Sequence, residues 1–198
     1  MRDYFEDLWA ALPEKLEPPH FEVRKQFLLS EVRPSERALD LGCGEGVFTA
    51  VLAQAGVDVV GSDVAEAALE RARRAHPELR FVLMPVEGPL PFAEAAFDIV
   101  WASEVIEHVA DTARWLSEVR RVLAPGGRLL LTTPNHGRIA ILVHGLERYS
   151  EPLADHLHLY TRSSLEQTLA EFAFAAVTVR AAVGLRPFRR LLLATAVR

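Results

Sequence analysis

The feature that most constrains this chain is a run of alternating glycines in residues 39–46, which read LDLGCGEG. The run joins a short apolar segment to a helical pattern. Glycine lets the backbone adopt positive φ and approach a ligand closely, and a helix that begins there presents free N–H groups. The glycines stand at 42, 44 and 46, whereas a dinucleotide G-x-G-x-x-G counted from Gly42 needs its third glycine at position 47, which is valine. Asp40 is also foreign to that pattern, so the turn predicts an α/β ligand site of another kind.

Short apolar segments alternate with helical patterns along most of the 198 residues. Strands are predicted over residues 37–41, 57–61, 80–84, 98–102, 128–132, 175–182 and 191–197. Helices are predicted over residues 4–12, 21–32, 46–55, 65–75, 112–123 and 161–173. The alternation predicts an α/β fold with a parallel sheet covered on both faces. The short loop between the last two strands permits only an antiparallel pair.

We expect a single domain with four parts: an N-terminal helical cap (1–34), a ligand-binding core (35–134), a lid-like insertion (135–160), and a final helix and β-hairpin (161–198). The longest apolar runs are far too short to span a bilayer, and residues 1–7 lack the apolar region of a signal peptide. The lone cysteine is consistent with a reducing compartment, so a cytoplasmic location is predicted. The net charge is −5, and the 12 basic against 6 acidic residues of 114–198 are scattered, which makes nucleic acid an unlikely partner.

Asp63 follows the second predicted strand, seventeen positions after Gly46. A carboxylate there can accept hydrogen bonds from both ribose hydroxyls of an adenosine ligand, as in dinucleotide folds. The alternative is that Asp63 caps the following helix. The order and spacing of the glycine turn and Asp63 favour the ligand.

The sequence resembles the small class I S-adenosylmethionine-dependent methyltransferases of the type 11 and ubiquinone-biosynthesis kind. Besides the glycine run and Asp63, residues 90–92 (LPF), 97–100 (FDIV) and 123–127 (LAPGG) match family motifs in the correct order. The resemblance covers residues 36 to about 174. It implies a Rossmann-like three-layer α-β-α sandwich, with a seven-stranded, mostly parallel sheet whose last strand is antiparallel. It also implies S-adenosylmethionine as cofactor, S-adenosylhomocysteine as product, and a cofactor site made by Asp40, Gly42, Cys43, Gly44, Gly46, Asp63, Val64, Val86, Glu87 and Ser103.

The chain departs from the family after the third strand, where relatives usually carry an aspartate that accepts the adenine amino group. Here the residues are Met84-Pro85-Val86-Glu87. Glu87 is the predicted substitute, with a solvent-facing loop glutamate as the alternative, and Val86 would line the adenine pocket. A helix N-terminus lowers a thiol pKa, but no base is placed for Cys43, so a packing role is favoured over a nucleophile.

Residues 103–108 (SEVIEH) follow the fourth strand, at the edge where ligands bind in open α/β folds. Glu104 and His108 are the candidate catalytic residues, which would contact the acceptor or act as a base. The alternatives are that His108 only packs the loop, or that Glu104, Glu107, His108 and His156 or His158 bind a divalent cation. The last arrangement is similar to that of RNA 3′-terminal 2′-O-methyltransferases. Methyltransferases with E-H-V here commonly need no metal, so no metal is predicted.

The acceptor pocket is predicted to form from residues 4–32 and 137–160, two apolar-rich segments outside the alternating pattern. His136, His144, His156 and His158 are candidates to line it. The favoured function is methyl transfer to a small molecule on oxygen, nitrogen or carbon. The alternatives are a metal-assisted RNA 3′-terminal 2′-O-methyltransferase, a non-catalytic partner subunit and, least of all, a NAD-dependent oxidoreductase. The sequence leaves the acceptor and the oligomeric state open.

Overall fold

The computed structural model describes residues 2–13, 17–86, 88–137, 139, 141–142, 156–185 and 188–198. The helices are α1 (Arg2–Ala11), α2 (Phe21–Glu31), α3 (Val47–Gln54), α4 (Glu66–Ala75), α5 (Thr112–Val122) and α6 (Arg162–Glu171), with a 3-10 turn at Ile106–His108. The strands are β1 (Arg37–Leu41), β2 (Asp58–Asp63), β3 (Arg80–Leu83), β4 (Phe97–Ser103), β5 (Leu123–Pro134), β6 (Ala175–Ala182) and β7 (Leu191–Val197). No helix within the described ranges is long and apolar enough to cross a bilayer.

The seven strands form one sheet in the order β3-β2-β1-β4-β5-β7-β6. The pairs from β3 through β5 are parallel, while β7 runs antiparallel to both β5 and β6. The predicted fold class is therefore confirmed, including the antiparallel last strand. Because the order reverses between β1 and β4, their carboxyl ends leave a crevice at the edge where open α/β folds bind ligands.

Apolar side chains fill both faces of the sheet. On one face Phe48 and Leu52 of α3 and Phe27 of α2 pack against Trp101 of β4. On the other, Leu116 of α5 and Leu165 of α6 pack against further strand residues. Trp101, Leu116 and Leu165 are fully buried, which fixes the helices to the sheet and the strand ends to one another.

Most predicted boundaries lie within two residues of the observed ones, but β5 begins at Leu123 rather than at residue 128. The reason is that Leu123 pairs with Phe97 before the register shifts to the pairing of Ile99 with Arg128. The Pro-Gly-Gly segment is therefore an irregularity within the strand and not a loop before it.

Candidate functional site

A cavity of about 290 Å³ lies at the carboxyl edge of the sheet, beside the glycine turn. Its lining includes six of the residues that the sequence predicted for the site: Gly42, Asp63, Val64, Val86, Glu104 and His108. Five predicted residues support the cavity without lining it: Asp40, Cys43, Gly44, Gly46 and Ser103. Glu87 lies outside the described residues, so its predicted contact with adenine stays a prediction.

The glycine turn has the geometry that its sequence requires. Gly42 has φ +76°, and a Cβ at this position would lie 2.5 Å from Cγ2 of Val105. Gly44 has φ +54°, and a Cβ there would lie 2.9 Å from the ring of Trp9. Side chains at these positions would be strained and would fill the cradle, so the turn keeps its backbone accessible beside the cavity.

Asp40 supports the turn from below. It is 2% exposed, and its Oδ2 accepts a hydrogen bond of 2.6 Å from the hydroxyl of Thr49 on α3. Burial raises the pKa of Asp40 to about 7, and the nearby Asp63 raises it further while the hydrogen bond from Thr49 lowers it. Asp40 thus ties strand β1 to helix α3 and is a carboxyl that titrates near neutral pH.

Asp63 lies between the glycine turn and the start of α4, where it borders the cavity. Its Oδ2 accepts from the Gly44 amide at 2.9 Å and its Oδ1 accepts from the Ala65 amide at 3.0 Å, so it connects the glycine turn to the start of α4. It also lines the cavity. Burial raises its pKa. The position at the end of β2 fits a carboxylate that binds the ribose of an adenosine ligand.

Cys43 is not an activated thiol. Burial raises its pKa well above the ordinary value, and Asp40 and Asp63 add to the effect. Because burial disfavours the thiolate, the favoured packing role fits the structure.

Helix α1 closes one side of the cavity. The sequence predicted that residues 4–32 help to form the acceptor pocket, but not which of their side chains line it. Phe5, Leu8, Trp9 and Leu12 line it, whereas no described residue of 137–160 does. Glu6 accepts hydrogen bonds from the Glu66 and Ala67 amides at 2.7 and 2.9 Å. Helix α4 has no capping side chain of its own at Ala65, so Glu6 supplies the cap from another helix. Sequence spacing gave no signal for this contact.

Glu104 faces the cavity from a constrained backbone, with φ +56°. Both oxygens of its carboxylate have partners. Oε2 lies 3.2 Å from the Arg24 guanidinium of α2, and Oε1 accepts a hydrogen bond from the Thr132 hydroxyl at 2.9 Å. Arg24 is 3% exposed and also donates to the Ser103 hydroxyl. The buried guanidinium therefore fixes the position of the Glu104 side chain. Arg24 is a residue that the sequence analysis missed, because a single arginine on an amphipathic helix usually faces solvent.

Glu107 lies behind Glu104 and is fully buried. Its Oε2 accepts from the Thr133 hydroxyl at 2.9 Å, while Oε1 has no hydrogen-bond partner among the described residues and lies 4.0 Å from Nε2 of His108. Burial raises the pKa of Glu107 to about 8, and Glu104 contributes in the same direction.

The segment that begins at residue 156 brings the imidazole of His156 next to Glu107 and His108. The Glu107 carbonyl accepts from the amides of Leu157 and His158 at 2.7 and 3.1 Å, and the rings of His108 and His156 are 4.7 Å apart. One ligand atom from each of Glu107, His108 and His156 lies within 4.8 Å of the others.

The other candidate histidines lie in different settings. His158 bonds through Nε2 to the Val109 carbonyl at 2.9 Å. His136 is 1% exposed, and burial lowers its pKa. His144 lies outside the described residues. Of the four histidines that the sequence offered for the acceptor pocket, the structure therefore brings His156 next to His108.

Comparison with known proteins agrees with this geometry. Residues 39–131 match the family model of a methyltransferase domain. The chain is 34% identical over 138 residues to the biotin biosynthesis bifunctional protein BioHC of Cellvibrio japonicus. The aligned region covers 68% of this chain and 27% of that protein. It is 42% identical over 99 residues to the demethylmenaquinone methyltransferase of Beutenbergia cavernae. This second alignment covers 50% of this chain and 41% of that protein.

A solved complex of the Haloferax volcanii Trm112 methyltransferase activator with a methyltransferase superposes with a TM-score of 0.79 at 21% identity, over 100% of this chain and 98% of that one. This likeness shows the fold. The curated relatives are longer than this chain, which spans between about a quarter and about half of their length. On its motifs and these matches, the part of the chain at residues 39–131 is a methyltransferase domain of the S-adenosylmethionine-dependent class I type.

Proposed function

We propose that this chain transfers a methyl group from S-adenosylmethionine to a small-molecule acceptor that binds in the cavity under α1. The observation that carries the proposal is the cavity itself, because one enclosed space adjoins both the cofactor motifs and Glu104 and His108. Its volume of about 290 Å³ is near the lower end of small-ligand sites, which run from roughly 300 to 1,000 Å³.

The cofactor would lie along the glycine turn. Gly42 borders the cavity without a side chain. Asp63 would accept hydrogen bonds from the ribose hydroxyls, and Val64 and Val86 offer apolar surface to the adenine. When bound, S-adenosylmethionine supplies an activated methyl group on a sulfonium, so the protein's own contribution is binding, orientation and exclusion of water.

The acceptor would lie between this turn and the end of β4. Arg24 and Thr132 hold the Glu104 side chain in place. A carboxylate at this position can accept a hydrogen bond, and then the proton, from the hydroxyl or amine that is methylated. His108 lies on the same wall. The apolar residues of α1 cover the opposite side and exclude water from the reacting atoms.

A cavity that the apolar residues of α1 line on one side supports a small molecule over RNA. The non-catalytic alternative is disfavoured by a glycine turn that keeps Asp40 and Asp63 in hydrogen-bonded positions. A cytoplasmic location stays a prediction.

The test is transfer of radiolabelled methyl groups from S-adenosylmethionine to pools of small molecules, with RNA oligonucleotides bearing free 3′ ends as a separate pool. We expect label in a small-molecule pool. We expect Glu104→Gln to lower turnover on that pool while S-adenosylhomocysteine affinity, measured by calorimetry, stays within a few-fold of wild type. Label in RNA only, or calorimetry that shows no S-adenosylhomocysteine binding, would contradict the proposal.

Helix α1 offers a second test of the same site. Because Trp9 packs over Gly44 and Glu6 caps α4, we expect deletion of residues 4–12 to weaken cofactor affinity as well as turnover. Unchanged affinity and turnover after the deletion would show that α1 closes neither site.

A further inference from the structure

We propose that Glu107, His108 and His156 bind one divalent transition-metal ion beside the acceptor site. The ligand atoms belong to two distant parts of the chain and all lie within 4.8 Å of one another. Around an ion at 2.0–2.2 Å such atoms would be about 3.4 Å apart, so small side-chain rotations are enough to close the site.

The carboxylate of Glu107 is the independent observation that points to a ligand. It is fully buried, and Thr133 occupies one oxygen at 2.9 Å. The other oxygen accepts no hydrogen bond from the described residues and faces the His108 ring nitrogen. A buried carboxylate oxygen without a donor is costly, and a bound cation would satisfy it. Thr133 would then orient the ligand, as partners of metal-binding carboxylates do.

The surrounding contacts select these three residues from the larger set that the sequence offered. Glu104 is occupied by Arg24 and Thr132. His158 is occupied through Nε2 by the Val109 carbonyl. The backbone bonds from Leu157 and His158 to the Glu107 carbonyl hold the His156 segment against the site.

The donor set indicates the class of ion. Two imidazoles and one carboxylate suit Zn²⁺, Co²⁺, Fe²⁺ or Mn²⁺, while Mg²⁺ and Ca²⁺ prefer sites made of oxygen atoms. Three protein ligands leave positions for water or substrate. His108 also lines the cavity, so an acceptor hydroxyl could reach the ion.

This placement deepens the proposed function, on which its catalytic role rests, by favouring a hydroxyl acceptor. A bound cation lowers the pKa of a hydroxyl that coordinates it. The hydroxyl proton would pass to the Glu104 carboxylate, leaving an oxygen nucleophile on the ion. The existence of the metal site does not depend on that role.

The experiment is titration of tag-free, chelator-treated protein with Co²⁺, followed by visible absorption and calorimetry, and then displacement by Zn²⁺. We expect one Co²⁺ per chain, with ligand-field bands that Zn²⁺ abolishes. His156→Ala, His108→Ala and Glu107→Gln should each weaken binding by about tenfold or more, since loss of an outer contact alone costs 10- to 100-fold.

Two variants serve as controls. Glu104→Gln should keep Co²⁺ affinity within a few-fold of wild type. This result would show that Glu104, which the sequence offered as a fourth ligand, does not bind the ion. His76→Ala, at the end of α4, controls for unspecific imidazole binding. Wild-type protein that binds no stoichiometric Co²⁺, or binding that survives His156→Ala, would overturn the proposal. Stoichiometric Co²⁺ in a protein that methylates no small molecule would keep the metal site and reject the proposed function.

Discussion

Replacement of Asp40 by asparagine should make the protein more stable at alkaline pH, although Asp40 belongs to the predicted cofactor site. Asp40 is buried beneath the glycine turn with one hydrogen bond, from Thr49. Burial raises its pKa from 3.8 to about 7. A carboxyl with a raised pKa stabilises the fold below its unfolded pKa, and this contribution is lost as the pH rises through the folded pKa.

The magnitude follows from the shift. Each pKa unit corresponds to about 1.4 kcal/mol, so the raised pKa of Asp40 lowers the free energy of unfolding by about 4 kcal/mol at pH 8 and by about 2 kcal/mol at pH 5. Asparagine has nearly the same shape and can accept the hydrogen bond from Thr49. The free energy of unfolding of Asp40→Asn should therefore exceed that of wild type by an amount that grows between pH 4 and pH 7.

The assay is urea unfolding at pH 5, 6, 7 and 8, followed by circular dichroism. Asp98→Asn is the matched control with the opposite sign. Arg37 hydrogen-bonds to Asp98 and lowers its pKa, so that carboxylate stabilises the fold above its unfolded pKa and the effect is lost as the pH falls. Its replacement should destabilise the protein at pH 8. A stability difference for Asp40→Asn that is independent of pH, or negative at pH 8, would refute the reasoning.

Three further outcomes test the site. Asp63→Ala should weaken S-adenosylhomocysteine binding by about 1.5–3 kcal/mol, the cost of lost hydrogen bonds to a charged group; unchanged affinity in calorimetry would remove it from the site. Gly42→Ala should destabilise the protein more than Gly126→Ala, because both have similar positive φ but only the former places a Cβ against Val105, at 2.5 Å; equal effects in urea unfolding would deny the clash. Cys43 should react slowly with a disulfide reagent in folded protein and quickly in urea, because burial raises its pKa; fast reaction in the fold would show an exposed thiolate.

The sequence by itself determined the fold class and the position of the cofactor turn. Both depend on local physics. Strand and helix periods differ, so the alternating pattern specifies a parallel sheet, and only glycine tolerates the positive φ and close packing found at Gly42 and Gly44. The position of Asp63 could also be predicted, because the β-α-β unit brings the end of its second strand next to the glycine turn.

Only the tertiary structure decided how the distant segments complete the site. Glu6 caps α4 across 60 residues, and Arg24 of α2 pairs with Glu104. Neither contact leaves a periodic signal, since each depends on how two packed elements meet. The SEVIEH segment showed the same limit. In this segment Glu104 has positive φ and a 3-10 turn begins at Ile106. That break directs Glu104 to Arg24 and leaves Glu107 and His108 to meet His156, because chain folding and not sequence spacing sets which side chains share a buried space.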